Sequence, residues 1–162
     1  MKTIITTFVL LLTGTALFAQ NGHHKHNHMK AERVNADHSL HQFKAEWTSH
    51  RGDVVQLDQF SGEPVVIVMF YGNCTEVCPI LIQDAWRLYD GVSEENRPHV
   101  NVLAITFDPE NDTPEVLNQY AIQEQLDISG WHFVTAEPAK IREMAMLLGV
   151  QFSRKSNGHF AH

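Results

Sequence analysis

The chain has 162 residues, of which 43% are hydrophobic, and it carries a formal net charge of −7 with its histidines neutral. This composition is typical of a folded protein and excludes a largely disordered chain. The length suits one compact domain with short additional segments. The acidic balance argues against nucleic acid as a partner, because binding to phosphates requires a basic face.

Residues 1–19 have the pattern of a secretory signal peptide, with an apolar run from Ile4 to Phe18 that ends at Ala19. The run of about 15 residues is shorter than the roughly 20 needed to span a bilayer. We therefore expect cleavage after Ala19, with an uncleaved signal as the alternative and the only link to a membrane. The protein is expected to be exported, either periplasmic or anchored in the membrane and facing the periplasm.

A histidine-rich segment follows, and we predict a flexible tether over residues 20–40 before a domain over residues 41–162. Its histidines are His23, His24, His26 and His28. Four imidazoles are enough to hold Cu(II), Ni(II) or Zn(II) weakly, as an auxiliary site. The alternative is a solvated spacer with incidental metal affinity.

The remaining sequence alternates between strand and helix patterns. Strands are predicted at residues 43–49, 54–57, 64–71, 100–107 and 131–135, and helices at 79–90, 114–125 and 138–148. Thr113 followed by Pro114 has the pattern of an N-cap and a first helical residue. The alternation predicts an α/β domain with right-handed crossovers and a sheet covered on both faces.

The C-terminal residues have the pattern of a hairpin. Asn157 and Gly158 form a strong turn signal that should return the chain through His159 to His162. The sequence stops four residues into this returning strand. Because such an end leaves a sheet edge and apolar helix faces uncovered, we expect a C-terminally truncated domain that lacks its last strands and helix.

The two cysteines, Cys74 and Cys78, lie where the third predicted strand gives way to the first helix. With Pro79 at the first helical position, Cys78 is predicted to be the N-cap, where free N–H groups and the helix dipole favour a thiolate. Three interpretations remain open from the residues alone: a structural disulfide, ordinary for an exported protein, a redox couple or a two-thiolate metal clamp. A disulfide over so short a ring contributes only about 2 kcal/mol.

A metal clamp of two thiolates favours copper. Soft thiolates select Cu(I), and two thiolates with one imidazole form a low-coordinate site that suits copper better than a four-ligand zinc site. His159 and His162 are the candidates for the imidazole, because the predicted hairpin can fold back beside the helix start. His99 is interpreted as a residue of a surface loop, and His132 as a structural residue of a strand.

Three features together resemble the Sco/SenC family over roughly residues 43–162. They are the stretch from Tyr71 to Pro79, the D-P-E-N-D-T-P-E segment at residues 108–115, and a late histidine. The resemblance implies a thioredoxin-like three-layer fold. It also implies copper binding through the two cysteines of a C-x-x-x-C-P motif and one late histidine, which correspond here to Cys74, Cys78 and His162. His162 fits the family's position better than His159 does.

The resemblance further implies a metallochaperone that delivers copper to the dinuclear copper site of cytochrome c oxidase, with a copper-accepting oxidase subunit as its partner. The enzymatic alternative is a thiol–disulfide oxidoreductase that keeps the cysteines of a copper-site protein reduced. It would use Cys74 and Cys78 as its redox pair and need a thiol reductant protein. A third hypothesis is a histidine-rich metal scavenger. The segment at residues 108–115, with Asp108 and Asp112, is interpreted as helix capping, with support of the site as a second role.

Overall fold

The structure is a computed structural model that describes residues 39–156 and 159–161. The predicted signal peptide and the four histidines of the tether lie outside the described residues, as do the predicted turn residues Asn157 and Gly158 and the candidate ligand His162. Within the part that is described, no helix is both long and apolar enough to cross a membrane.

A five-stranded sheet forms the centre of the domain. Its strands are β1 (Trp47–Ser49), β2 (Val54–Val55), β3 (Val65–Phe70), β4 (Asn101–Thr106) and β5 (Trp131–Thr135). They lie in the order β2-β1-β5-β4-β3, with β3, β4 and β5 parallel and β1 antiparallel to both of its neighbours. Phe70 pairs with Thr106 at the ends of β3 and β4. The loops that follow these two strands therefore start side by side.

In the described part of the chain, three α-helices accompany the sheet: α1 (Cys78–Asp90), α2 (Pro114–Gln123) and α3 (Pro138–Leu148). The ring of Trp131 in β5 contacts Trp86 of α1, and the ring of Phe133 contacts Tyr120 of α2. Because alternate residues of a strand point to the same face, α1 and α2 cover the same side of the sheet. His132 points the other way.

The sequence predicts most of these elements closely. The observed bounds of β5 and α3 are those expected, and α3 ends at Gly149, whose φ of 70° is the left-handed conformation that glycine adopts readily. The first strand is shorter than predicted. Residues 43–46 alternate in polarity but pair with no strand, and β1 begins only at Trp47, which pairs with Val55.

The predicted C-terminal hairpin forms a two-stranded sheet of its own, from β6 (Ser153–Arg154) and β7 (Phe160–Ala161). Aromatic rings attach it to the ends of β3 and β4. Phe107 stacks on Phe152 with 5.0 Å between ring centroids, and Phe160 lies 5.1 Å from Tyr71. The hairpin is therefore packed beside the loop that carries the cysteines.

Candidate functional site

Cys74 lies in the loop after β3, and Cys78 is the first residue of α1. The prediction that Cys78 is the N-cap is wrong by one residue, because the N-cap is Val77. Val77 already has helical angles, with φ −92° and ψ −30°, and its carbonyl accepts the backbone N–H of Ile80 at 3.0 Å. The Cys78 N–H is therefore among the first N–H groups of the helix, which have no partner within the helix. It donates to Sγ of Cys74 at 3.4 Å.

The two thiols are free, buried and electrostatically different. Burial alone would raise the pKa of Cys74, but hydrogen bonds from the Cys78 thiol and from the N–H groups of Cys78 and Glu76 outweigh it, so that the pKa is lowered. Burial, followed by the hydrogen bond to Cys74, raises the pKa of Cys78 to about 12. Cys74 is thus the thiol prepared to ionise, and Cys78 is the proton donor beside it.

Tyr71 connects the cysteine loop to the hairpin. Its hydroxyl is hydrogen-bonded with the thiol of Cys74 and lies 3.4 Å from Nδ1 of His159. The pKa of Tyr71 is raised, chiefly by burial. Of the two predicted hairpin ligands, the structure brings His159 to this contact, whereas His162 lies outside the described residues.

The other two histidines considered from the sequence, His99 and His132, each contact residues outside the cysteine loop. His99 is exposed, with Nδ1 3.5 Å from a carboxylate oxygen of Glu63. The ring of His132 packs against Phe60 on the face of the sheet opposite α1 and α2. Burial lowers the pKa of His132.

Asp112 supports the cysteine loop, which is the second role expected for its segment. It is 2% exposed and accepts hydrogen bonds from the Gly72 N–H at 2.9 Å and from the Thr106 hydroxyl. Burial is the main cause that raises its pKa. The cap of α2 is instead Thr113, which accepts from the N–H of Val116. Helix capping in this segment is thus provided by Thr113, as the sequence predicts, and Asp112 holds the cysteine loop.

A cavity of about 470 Å³ opens beside the cysteine loop. Its lining includes Tyr71, Asn73, Asp112, Tyr120 and His159. Within residues 39–156 and 159–161, no three side chains of His, Cys, Asp or Glu cluster as a metal site would require. The two thiols supply two soft donors, which fits Cu(I).

Comparison with known proteins identifies the family of the chain. The family model described as SCO1/SenC matches residues 32–162. The SCO1 protein homolog of Bacillus subtilis is 29% identical over 96 residues, which are 59% of this chain and 49% of that protein. The chain spans about half or less of the length of the curated relatives that it matches.

Solved structures show the same fold. Bradyrhizobium japonicum ScoI with copper bound is 23% identical, with a TM-score of 0.60 over 72% of this chain and 73% of that one. BsSco, in which a disulfide switch was identified, is 27% identical, with a TM-score of 0.56 over 63% and 59%. These likenesses confirm the expected thioredoxin-like α/β fold. With a family match over residues 32–162, which include both cysteines, the chain belongs to the SCO1/SenC family.

Proposed function

We propose that this protein binds copper and passes it to a copper-accepting subunit of cytochrome c oxidase. The observation that carries the proposal is the pair of buried thiols at the start of α1, where the Cys78 N–H donates to Sγ of Cys74. Thiolates are the soft donors that Cu(I) prefers. Two relatives support the assignment, since ScoI of Bradyrhizobium japonicum was solved with copper bound and BsSco is described as a member of a family of cytochrome c oxidase assembly proteins.

Cys74 and Cys78 are the proposed thiolate ligands, and His162 is the proposed third ligand, with His159 as the alternative. Because the pKa of Cys78 is about 12, this thiol keeps its proton at neutral pH and must release it when copper binds. Copper affinity should therefore rise with pH. The histidines of residues 23–28 are proposed as a weak auxiliary site in the exported protein.

A thiol–disulfide oxidoreductase is the second candidate, favoured by the unequal thiols and by the disulfide switch of BsSco. The Cys74 thiolate would attack a disulfide of the partner and release one partner thiolate. Cys78 would then give its proton to the released partner thiolate and attack Sγ of Cys74 in the mixed disulfide, releasing the second partner thiolate and leaving a Cys74–Cys78 disulfide. A thiol reductant protein would have to reduce this disulfide before the next turnover.

Competition titration with a Cu(I) chelator tests the copper site. Fully reduced protein should bind Cu(I) tightly, and Cys78→Ser should lose that affinity, whereas the matched surface variant His99→Ala should retain it. Comparison of His162→Ala with His159→Ala identifies the third ligand. An affinity unchanged by Cys78→Ser would refute the site.

Two further measurements separate the other hypotheses. Exchange with a small disulfide needs only the two thiols, so a variant His162→Ala that exchanges normally but holds copper weakly favours the copper carrier. If exchange is the main activity, copper affinity should depend on neither histidine of the hairpin. Deletion of residues 22–29 should leave tight copper binding intact, and its loss would support the scavenger hypothesis.

A further inference from the structure

The turn Asp108–Asp112 is a rigid unit at the end of β4. The Asp108 carbonyl accepts the N–H groups of both Asn111, at 3.1 Å, and Asp112, at 2.9 Å. Thr106, the last residue of β4, accepts the Asp108 N–H at 2.9 Å and donates its hydroxyl to Asp112. The carboxylates of Asp108 and Asp112 are buried, with these residues 3% and 2% exposed, whereas Glu110 between them is exposed. The turn is thus fixed to the sheet and presents two buried acids.

The first acid holds the cysteine loop. Asp112 accepts the N–H of Gly72, two residues before Cys74, at 2.9 Å. The approach is close enough that a Cβ on residue 72 would lie 2.8 Å from Oδ1 of Asp112. Glycine at this position therefore allows the backbone of the loop to rest directly on the carboxylate.

The second acid holds the hairpin. Asp108 forms an ion pair with Arg154 of β6, which also lies 3.2 Å from Glu110. The guanidinium of Arg154 is 5.0 Å from the ring of Phe160, its partner in β7. A buried carboxylate that loses its cation is strongly destabilised, so this pair fixes where the hairpin sits.

We propose that the turn Asp108–Asp112 positions the two halves of the site relative to each other, with Asp112 fixing the cysteine loop through Gly72 and Asp108 fixing the histidine-bearing hairpin through Arg154. The inference rests on the proposed function in its second part, since the hairpin matters to the site only if it supplies a copper ligand. The two acids are positioning residues that touch no metal. The contact between Tyr71 and His159 is where the two positioned segments meet.

Amide hydrogen exchange in the reduced, metal-free full chain tests the two attachments separately. The Gly72 N–H reports on the cysteine loop, and the Lys155 N–H, which donates to the His159 carbonyl at 2.7 Å, reports on the hairpin. Asp112→Ala should speed exchange at Gly72 by about tenfold or more and leave Lys155 unchanged. Arg154→Gln should speed exchange at Lys155 by about tenfold or more and leave Gly72 unchanged. Gly72→Ala, which leaves Asp112 in place, is a second variant for the first attachment.

Two control variants remove an arginine or an aspartate from an ion pair on α1. Arg87→Gln and Asp84→Ala break an exposed ion pair on α1 and should change neither amide. In Cu(I) competition, Arg154→Gln and Asp112→Ala should each weaken binding by about tenfold or more, as loss of outer groups that orient metal ligands commonly does, and the controls should not.

The outcomes distinguish the two proposals. Unchanged exchange in Arg154→Gln, Asp112→Ala and Gly72→Ala overturns the positioning role. Faster exchange together with unchanged copper affinity would show that the attachments exist but do not affect the copper site. This result would also overturn the positioning role. If the wild-type chain fails to bind copper, the proposed function fails, and the exchange data alone then decide whether the turn positions the two segments.

Discussion

Cys74 should react with an alkylating agent far faster than Cys78. With a pKa of about 12, the Cys78 thiol is ionised in about one molecule in 10,000 at pH 8. A thiol at the ordinary value of 9.0 is about one-tenth ionised at that pH, and the lowered pKa of Cys74 makes its ionised fraction larger still. The thiolate populations therefore differ by at least about 1,000-fold.

Intrinsic nucleophilicity offsets part of this difference. A thiolate of higher pKa is the better nucleophile, with a Brønsted coefficient of about 0.4–0.5, so a gap of about three units makes the Cys78 thiolate about 20 to 30 times more reactive per ion. For a gap of about three units the net preference for Cys74 is then about 30-fold. The lower exposure of Cys78, 1% against 9%, acts in the same direction.

Limited alkylation tests this preference. Reduced, metal-free protein is treated at pH 8 with a small excess of iodoacetamide, and the modified peptides are quantified by mass spectrometry over time. Nearly all early label should be on Cys74. The same reaction in denaturant is the control, where both thiols should react at similar rates. Equal labelling in the folded protein, or faster labelling of Cys78, would show that the hydrogen bonds at the start of α1 do not control the thiols.

Other perturbations should produce measurable effects on stability and binding. Phe133→Ala, which removes a fully buried ring of β5 that packs against Tyr120 of α2, should lower the free energy of unfolding by about 3–5 kcal/mol in a denaturant titration, whereas Leu88→Ala on the exposed face of α1 should change it by less than about 0.5 kcal/mol. The folded-state pKa of His132 is lowered below 6.5, so its contribution to stability is complete above that pH and is lost as the pH falls below it. His132→Gln should therefore lose less stability than wild type between pH 7 and 5, and an identical loss would contradict this. Copper affinity should increase from pH 6 to 8 because Cys78 must give up a proton, and a pH-independent affinity would argue against Cys78 as a ligand.

Local patterns in the sequence were sufficient for most of the fold. The apolar run of β3, the alternation in β5 and the Pro138 and Gly149 boundaries of α3 each encode an element over a few neighbouring residues. The start of α1 was missed by one residue because proline is compatible with either of the first two helical positions, and only the backbone angles of Val77 decide between them.

The return of the hairpin toward the cysteine loop was predicted, but most individual contacts over long sequence separations could not be. The cysteines were recognisable as a pair, but Asp112 and Gly72 are 40 residues apart, and Arg154 and Asp108 are 46 apart. No local periodicity indicates which buried acid meets which distant partner. Gly72 is the one local signal, because a glycine just before a reactive cysteine suggests a close approach of the backbone to another group.

The pairing of Phe70 with Thr106 fixes the alignment of β3 with β4, on which assembly of the site depends. A slip of β4 by one residue along β3 would shift the turn that follows β4 relative to Gly72 and so break the contact of Asp112 with the cysteine loop. Such a misaligned chain would retain its helices and strands in circular dichroism, yet the cysteine loop would not be held in place. Correct alignment of β3 with β4 and assembly of the thiol site therefore occur together. Thiol reactivity can thus be used to detect correctly folded molecules.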